Sequence, residues 1–189
     1  MFLRLEYQAS YLTSKDQFPL PNFRALANAK INSHVLELNL QPGRPSPLGS
    51  ASLGAAVMRI VAECPISHSN AGNVPSHIDK ADIAALHEAV KLALHQSHVE
   101  IYRGHAMGGD EVLYGRAGLL WAILNIRNHI FDEETRTALY PIFKVVPKLV
   151  DAIMDAGKLG AQEYVKQHGE PGALPLMWPW FDQYYAVGA

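Results

Sequence analysis

Residues 113–126 carry apolar side chains on every face of a predicted helix, with Arg116 and Asn125 as the only strongly polar residues. Such a pattern is typical of a helix that is buried on all sides or spans a membrane. The segment is shorter than the roughly 20 residues that a bilayer requires, and Arg116 lies near its start. The pattern therefore predicts a buried helix.

Residues 50–63 place small residues before large apolar ones, and they predict a second buried helix that ends before Pro65. The helix after it is expected to have Asp79 or Asp82 as its cap, to continue to about Ser97 and to keep one side in water. Its predicted apolar face consists of Ile83, Leu86, Val90 and Leu94.

Another amphipathic helix follows the first buried segment, and Asp132 is its predicted cap. Pro141 and Pro147 interrupt its apolar stripe, so we expect a kink or two shorter helices. Residues 158–168 predict one more short helix, which ends at the turn that begins with Gly169. No strand-turn-strand pattern appears along the chain.

A buried helix followed by a half-solvated one, repeated along the chain, predicts helix hairpins packed side by side. The predicted fold class is therefore all-α, with about three pairs of which the last is only begun. Residues 51–189 form the predicted helical domain, and residues 1–50 form a poorly defined N-terminal segment. Helix pairs that do not close into a ring expose apolar flanks, so we expect self-association through these flanks.

The composition narrows the class of protein. A chain of 189 residues, 49% hydrophobic and 18% charged, suits one globular domain with a sizeable core. A formal charge of -2 without a basic run argues against nucleic-acid binding. Cys64 is the single cysteine, so we predict neither a disulfide framework nor a cysteine-rich metal site. The N-terminal apolar run is too short for a signal peptide, and we expect a cytoplasmic protein without a transmembrane segment.

Two motifs resemble one protein family. Glu-Val-Leu-Tyr-Gly-Arg-Ala-Gly at residues 111–118 resembles the Glu-Leu-Leu-Tyr-Gly-Arg-Ala-Gly step of the eukaryotic lanthionine synthetase C-like (LanC-like) proteins. Residues 175–189 resemble the family's Pro-Leu-Met-(aromatic)-x-Trp … Tyr-x-Val-Gly-Ala segment, in the expected order. The resemblance covers about residues 99–189, whereas residues 1–98 match only loosely.

The resemblance implies an α/α toroid, in which buried helices form an inner barrel and amphipathic helices an outer one. In the family, a zinc ion held by two cysteines and one histidine lowers the pKa of a thiol, and the thiolate adds to a dehydroamino acid in a peptide or protein. The eukaryotic members bind glutathione. The family's zinc ligands come from its C-terminal half, and its pattern continues after Ala189 with Ala-His-Gly.

From the resemblance we therefore expect a partial toroid, truncated before the metal-binding half, that does not bind zinc by itself. Glutathione is the expected ligand, and a peptide or protein is the expected substrate and partner. The expected location is the cytoplasm, with association with a membrane as the alternative.

Glu111 is the catalytic candidate that the resemblance carries over, because bacterial members have an aspartate implicated in catalysis at this position. Asp110 is the neighbouring candidate. Tyr114 and Arg116 of the same motif are candidates for substrate binding, and Arg116 suits a carboxylate of a peptide or of glutathione. Structural roles stay open, because both acids can cap a helix and Arg116 can bind a backbone carbonyl.

Trp178 and Trp180 are two further candidates for substrate binding, since they belong to an aromatic cluster near the C-terminus. The alternative is a packed loop. Pro179 favours an extended conformation, before a helix that would begin near Tyr185.

Four histidines between residues 87 and 105 are candidate zinc ligands. A catalytic zinc needs three protein ligands, and Cys64 supplies one thiolate. Because the sequence places neither acid nor cysteine beside the histidines, we interpret them as solvated side chains and predict no metal site. The histidines are His87, His95, His98 and His105.

Two other classes of function compete with thiol addition. A helical scaffold that binds a peptide or protein partner without a metal is favoured by the missing zinc ligands. Carbohydrate-acting enzymes share the α/α toroid but use two carboxylates across the barrel mouth. Asp110 and Glu111 are adjacent in sequence and should point to different faces, which disfavours that class.

Overall fold

The computed structural model describes residues 25–26, 29–30, 40–62, 78–129 and 131–185. The described chain is mostly helical, as the pattern predicts, and two short two-stranded sheets accompany the helices. The predicted N-terminal segment 1–50 lies mostly outside the described residues, and Cys64 lies wholly outside them. In chain order the elements are α1 (Ala51–Ala62), α2 (Lys80–His95), β1 (Val99–Tyr102), β2 (His105–Gly108), α3 (Arg116–Arg127), α4 (Glu133–Phe143), α5 (Val146–His168), β3 (Trp178–Trp180) and β4 (Gln183–Tyr185).

The core lies between α1, α2 and α3, and α4 and the beginning of α5 close it. Small residues on facing helices, such as Ala56 of α1 and Ala89 of α2, leave room for larger side chains beside them. Burying a leucine or isoleucine side chain contributes about 1.5–3 kcal/mol, so the fully buried members fix how these helices pack. They are Leu53, Ile60, Leu86, Leu119, Ile123, Ile126, Leu139, Ile142 and Leu149.

The expectation that residues 113–126 are buried on every side is wrong. Leu119 and Ile123 of α3 are fully buried, but Trp121 is 53% exposed and Leu124 is 39% exposed. The packed neighbours of α3 cover one of its sides, and no other described element covers the opposite side. Uniform hydrophobicity does not specify which face of a helix receives the neighbours.

Two predicted caps are confirmed. Asp79 accepts a hydrogen bond from the backbone N–H of Ala81, and Asp132 accepts one from Thr135 at 2.8 Å. Asp82, the alternative cap of α2, has a different role. It binds Arg59 of α1 through two hydrogen bonds of 2.8 and 2.5 Å, which ties α1 to α2.

The predicted interruption near Pro141 and Pro147 is confirmed, because α4 ends at Phe143 and α5 begins at Val146. The separate short helix at residues 158–168 is wrong, since α5 runs without a break from Val146 to His168 and ends before Gly169. The glycines within α5 have a packing role. A Cβ atom on Gly160 would lie 2.1 Å from the carbonyl oxygen of Met177, so only glycine permits this approach.

Two antiparallel hairpins contradict the expectation of a chain without strand pairs. The helix expected to begin near Tyr185 would lie at residues 186–189, outside the described residues. β1 pairs with β2, and β3 pairs with β4 up to Trp178 opposite Tyr185. Each turn has two residues with positive φ, as in the type I′ turn that suits a hairpin. Arg103 and Gly104 form the first turn and Phe181 and Asp182 the second.

Candidate functional site

Arg116, the first residue of α3, is buried and binds the C-terminal end of α2. Its Nε atom donates to the carbonyl oxygen of Ala93 at 2.7 Å, and its Nη2 atom donates to those of Gln96 at 2.6 Å and Ser97 at 3.2 Å. The last carbonyls of a helix lack partners within the helix and carry partial negative charge. The guanidinium therefore joins two helices, which is the structural alternative foreseen for this residue.

Asp110 completes this junction. One of its oxygens, Oδ1, accepts a hydrogen bond of 2.7 Å from Nη1 of Arg116, and both side chains are almost fully buried. The other oxygen, Oδ2, has no hydrogen-bond partner among the described residues. Burial raises the pKa of Asp110, although the Arg116 guanidinium opposes this change. A carboxylate held in this way has no free path to a substrate.

Glu111 stabilises the turn that leads into α3. Its side-chain oxygens accept hydrogen bonds from the backbone N–H groups of Leu113 and Tyr114, and its carbonyl accepts one from Gly115. The acids were expected to cap a helix, but Glu111 caps the turn before α3 instead. Gly115 occupies the N-cap position of α3. Both catalytic candidates thus make contacts within the fold.

The small residues of the first motif permit close packing. A Cβ atom on Gly118 would lie 1.9 Å from the carbonyl oxygen of Val112 and 2.1 Å from Oγ of Ser46. Ser46 itself is fully buried and donates a hydrogen bond to the same carbonyl at 2.9 Å. The Gly-Arg-Ala-Gly step thus brings α3 against the loop that precedes α1.

Tyr114 and Trp180, two of the substrate-binding candidates, lie together. Their rings stack with centroids 6.2 Å apart and an angle of 7° between the planes. The Arg44 guanidinium lies 4.4 Å from the ring centroids of both Tyr114 and Tyr102. We call these four residues the Arg44 stack. Cations prefer the face of an aromatic ring, so Arg44 holds the loop at residue 44 against the first hairpin and the first motif.

Trp178 belongs to a different environment. Its Nε1 atom donates to the carbonyl oxygen of Ile153 at 3.0 Å, and a Cβ atom on Gly157 would lie 2.6 Å from its ring. The side chain is packed on α5, so the packed-loop alternative describes Trp178 better than a ligand platform. The structure therefore does not bring Trp178 into the Arg44 stack.

The histidines of the predicted group are distributed over separate contacts. His98 Nε2 lies 2.9 Å from Glu163 Oε1, and His105 Nδ1 lies 2.9 Å from Asp182 Oδ2. His95 Nδ1 bonds the carbonyl oxygen of Lys91 within its own helix. Among the described residues, no three histidine, cysteine or acidic side chains come close enough together to hold a metal ion. The donor set of the family's zinc site is thus not reproduced in this part of the chain.

Sequence reasoning missed a polar network that joins α5, β4 and the loop before β1. Glu163 of α5 binds His98 with one oxygen and accepts a hydrogen bond of 3.0 Å from the Tyr184 hydroxyl with the other. Gln167 donates to the same hydroxyl. Burial and the neighbouring Glu163 carboxylate raise the pKa of Tyr184. No sequence signal joins residues that lie 65 positions apart, as His98 and Glu163 do.

Comparison with known proteins adds no identification. No family model matches the chain, and no solved structure gives a significant match. Within the described ranges, no helix is both long enough and apolar enough to cross a membrane.

Proposed function

We propose that this chain is a LanC-like helical scaffold that binds the thiol and the peptide or protein substrate of thiol addition to dehydroamino acids. In this proposal, α1 with α2 and α3 with α4 form two inner and outer hairpins of an α/α toroid. The neighbour relations support this arrangement, because α1 contacts α3 and α2 contacts α4, as expected for hairpins placed side by side.

The observation that carries the proposal is the contact between the two motifs that resemble the family. Tyr114 of the first motif stacks on Trp180 of the second, 66 positions away. The two motifs occur in the order that the family shows, and their side chains are also in contact in the folded chain. This contact supports the interpretation that both motifs belong to one folded domain.

The scaffold role follows from how the acids are used. Asp110 binds Arg116, and Glu111 binds backbone N–H groups, so neither carboxylate is placed to transfer a proton to a substrate. The described residues also do not assemble the zinc donors that would activate a thiol. We therefore assign binding, and not the thiol-activating step, to this part of the chain.

The Arg44 stack is the proposed binding surface. Trp180 is partly exposed, and Phe181 beside it is 52% exposed, so apolar area remains available to a peptide. The Arg44 guanidinium lies 4.4 Å from two ring centroids, and a guanidinium of this kind suits a carboxylate of glutathione.

The test is a titration of the chain with glutathione and, separately, with a short dehydroalanine peptide. We expect saturable binding of both, and Trp180→Leu should weaken peptide binding about tenfold, because an aromatic anchor at an interface contributes more than about 1 kcal/mol. Trp121→Leu is the matched control, since Trp121 is also exposed but lies on α3 away from the stack. Absence of binding, or equal losses in both variants, contradicts the proposal.

A further inference from the structure

A cavity of about 710 Å³ opens between the end of α3, α4 and the beginning of α5. Its volume falls in the range of small-molecule sites, about 300–1,000 Å³. The lining combines cationic and aromatic side chains, and no acidic side chain of the described residues lines it. The cationic members are Arg127, Arg136 and Lys144, and the aromatic members are Phe131, Tyr140 and Phe143.

Two of the three cations have no acidic partner within the described ranges. Arg127 makes no ion pair with another described residue, and Lys144 is placed 5.2 Å from the ring centroid of Tyr140 instead. Arg136 forms an exposed ion pair with Glu133 one turn earlier in α4. Partial burial lowers the pKa of His129, which also lines the cavity. The chain as a whole carries -2, which makes this excess of positive charge a local feature.

The aromatic side chains form a fixed wall. Phe131 and Phe143 are half-buried against the hydrophobic core, which restricts their motion. Tyr140 is 55% exposed and also lines the cavity. The Asp132 cap and the break between α4 and α5 fix the two ends of this wall. A flat apolar body can therefore lie against a surface that already exists in the folded chain.

We propose that this cavity binds a planar aromatic molecule that carries a phosphate monoester, of which a nucleoside monophosphate is the representative. The ring packs on Tyr140 and the two phenylalanines, and the phosphate binds Arg127 and Lys144. The two cations without an acidic partner in the described part of the chain match the charge of a phosphate monoester, which approaches -2 near pH 7. A carboxylate carries one charge and would leave one of the cations uncompensated.

The first experiment compares adenosine monophosphate with its two halves, adenosine and inorganic phosphate, by titration calorimetry on the whole chain at low ionic strength. We expect adenosine monophosphate to bind at least about tenfold more tightly than either half, since a charge-assisted hydrogen bond alone contributes about that factor. Absence of binding at millimolar nucleotide overturns the proposal. Equal affinity for inorganic phosphate also overturns it, because the ring would then contribute nothing.

Single substitutions locate the site. Lys144→Gln and Arg127→Gln should each weaken adenosine monophosphate binding about tenfold, and Tyr140→Leu should weaken both the nucleotide and adenosine. Lys158→Gln is the matched control, because Lys158 is an exposed lysine on α5 outside the cavity and is paired with Asp155. Unchanged affinity in the two cation variants overturns the proposal, and so does an equal loss in the control. All four positions are exposed, so the variants are expected to fold.

Discussion

The Asp110–Arg116 junction and the cavity at residues 127–147 use similar side chains in opposite ways. At the junction, the guanidinium is almost fully buried and all its hydrogen bonds go to the protein. At the cavity, Arg127 and Lys144 are exposed and have no acidic partner among the described residues. The difference shows that burial and existing partners, and not residue type, decide whether a charge is available to a ligand.

The largest effect should come from breaking the junction. Arg116→Gln removes the charge that compensates buried Asp110 and the donors to three carbonyls at and just after the end of α2. Removing one partner of a buried pair costs about 3–5 kcal/mol, and urea denaturation should show a loss of that size. Arg136→Gln, which breaks an exposed pair, should cost less than about 1 kcal/mol. Equal losses in the two variants would show that the junction is not a buried support.

The second effect concerns close packing at the same junction. Gly118→Ala should lower the free energy of unfolding by about 1–3 kcal/mol, because the added Cβ would meet Ser46 and the Val112 carbonyl. Helix propensity alone predicts the opposite sign, a gain of about 1 kcal/mol. Asn125→Ala in the same helix is the control and should cause no loss. A stabilised Gly118→Ala variant would contradict the packing described for this glycine.

The third effect is a dependence on pH. Because the pKa of Asp110 is raised in the folded chain, the fold binds this proton more tightly than the unfolded chain does. The stabilisation that protonated Asp110 contributes is fully present below the usual pKa of 3.8 and is lost as the pH rises through the raised pKa of the folded chain. The free energy of unfolding of the wild type, minus that of Asp110→Asn, should therefore fall as pH increases from about 4. A difference that rises with pH would mean that Arg116 outweighs burial.

The smallest effect on stability is expected at the exposed face of α3. Trp121→Gln should change the free energy of unfolding by less than about 0.5 kcal/mol, since its side chain is half exposed. Leu119→Ala, at a fully buried position of the same helix, should cost about 2–5 kcal/mol. Sedimentation should also show weaker self-association of Trp121→Gln if the exposed apolar face is the contact between copies. Unchanged sedimentation of Trp121→Gln would contradict self-association through this face of α3.

The helices could be predicted from the sequence because the residues that mark their ends lie close together in the chain. Asp79 and Asp132 have the residue type and position of caps, and the proline at 147 with its neighbour at 141 marks the break between α4 and α5. Gly157 and Gly160 of α5 have a role that depends on Trp178 and Met177, which pack across them. Such contacts between distant residues leave no local pattern.

The hairpins show the same limit. The first contains a glycine in its turn, at Gly104, which is a usable signal beside the alternating residues of β1. The second turn places Phe181 and Asp182 at positive φ. Asp is among the residues that adopt this conformation more often, but a bulky Phe rarely does, so the sequence of this turn is not a clear turn signal. A distant residue stabilises this conformation of Asp182, because the Asp182 side chain accepts a hydrogen bond of 2.7 Å from the backbone N–H of Ala106.

The residues of the candidate site could also be predicted only in part. Residue types and the family resemblance brought out Asp110, Glu111 and Arg116, but their roles follow from burial and hydrogen bonds that only the fold supplies. The Arg44 stack needed the fold as well, because Arg44 lies 70 positions before Tyr114 in sequence. Burial and partners can be predicted from a single sequence only where the contacts are local.

The central claim is that this chain binds substrates of thiol addition without carrying the thiol-activating step. The most direct measurement is the intact mass of a dehydroalanine peptide incubated with glutathione, zinc and a saturating amount of the chain. We predict that the wild type and Glu111→Gln give the same rate of adduct formation, because any acceleration comes from the proximity of the two bound reactants and not from this carboxylate. Faster formation that is lost in Glu111→Gln would contradict the claim and would return Glu111 to a catalytic role.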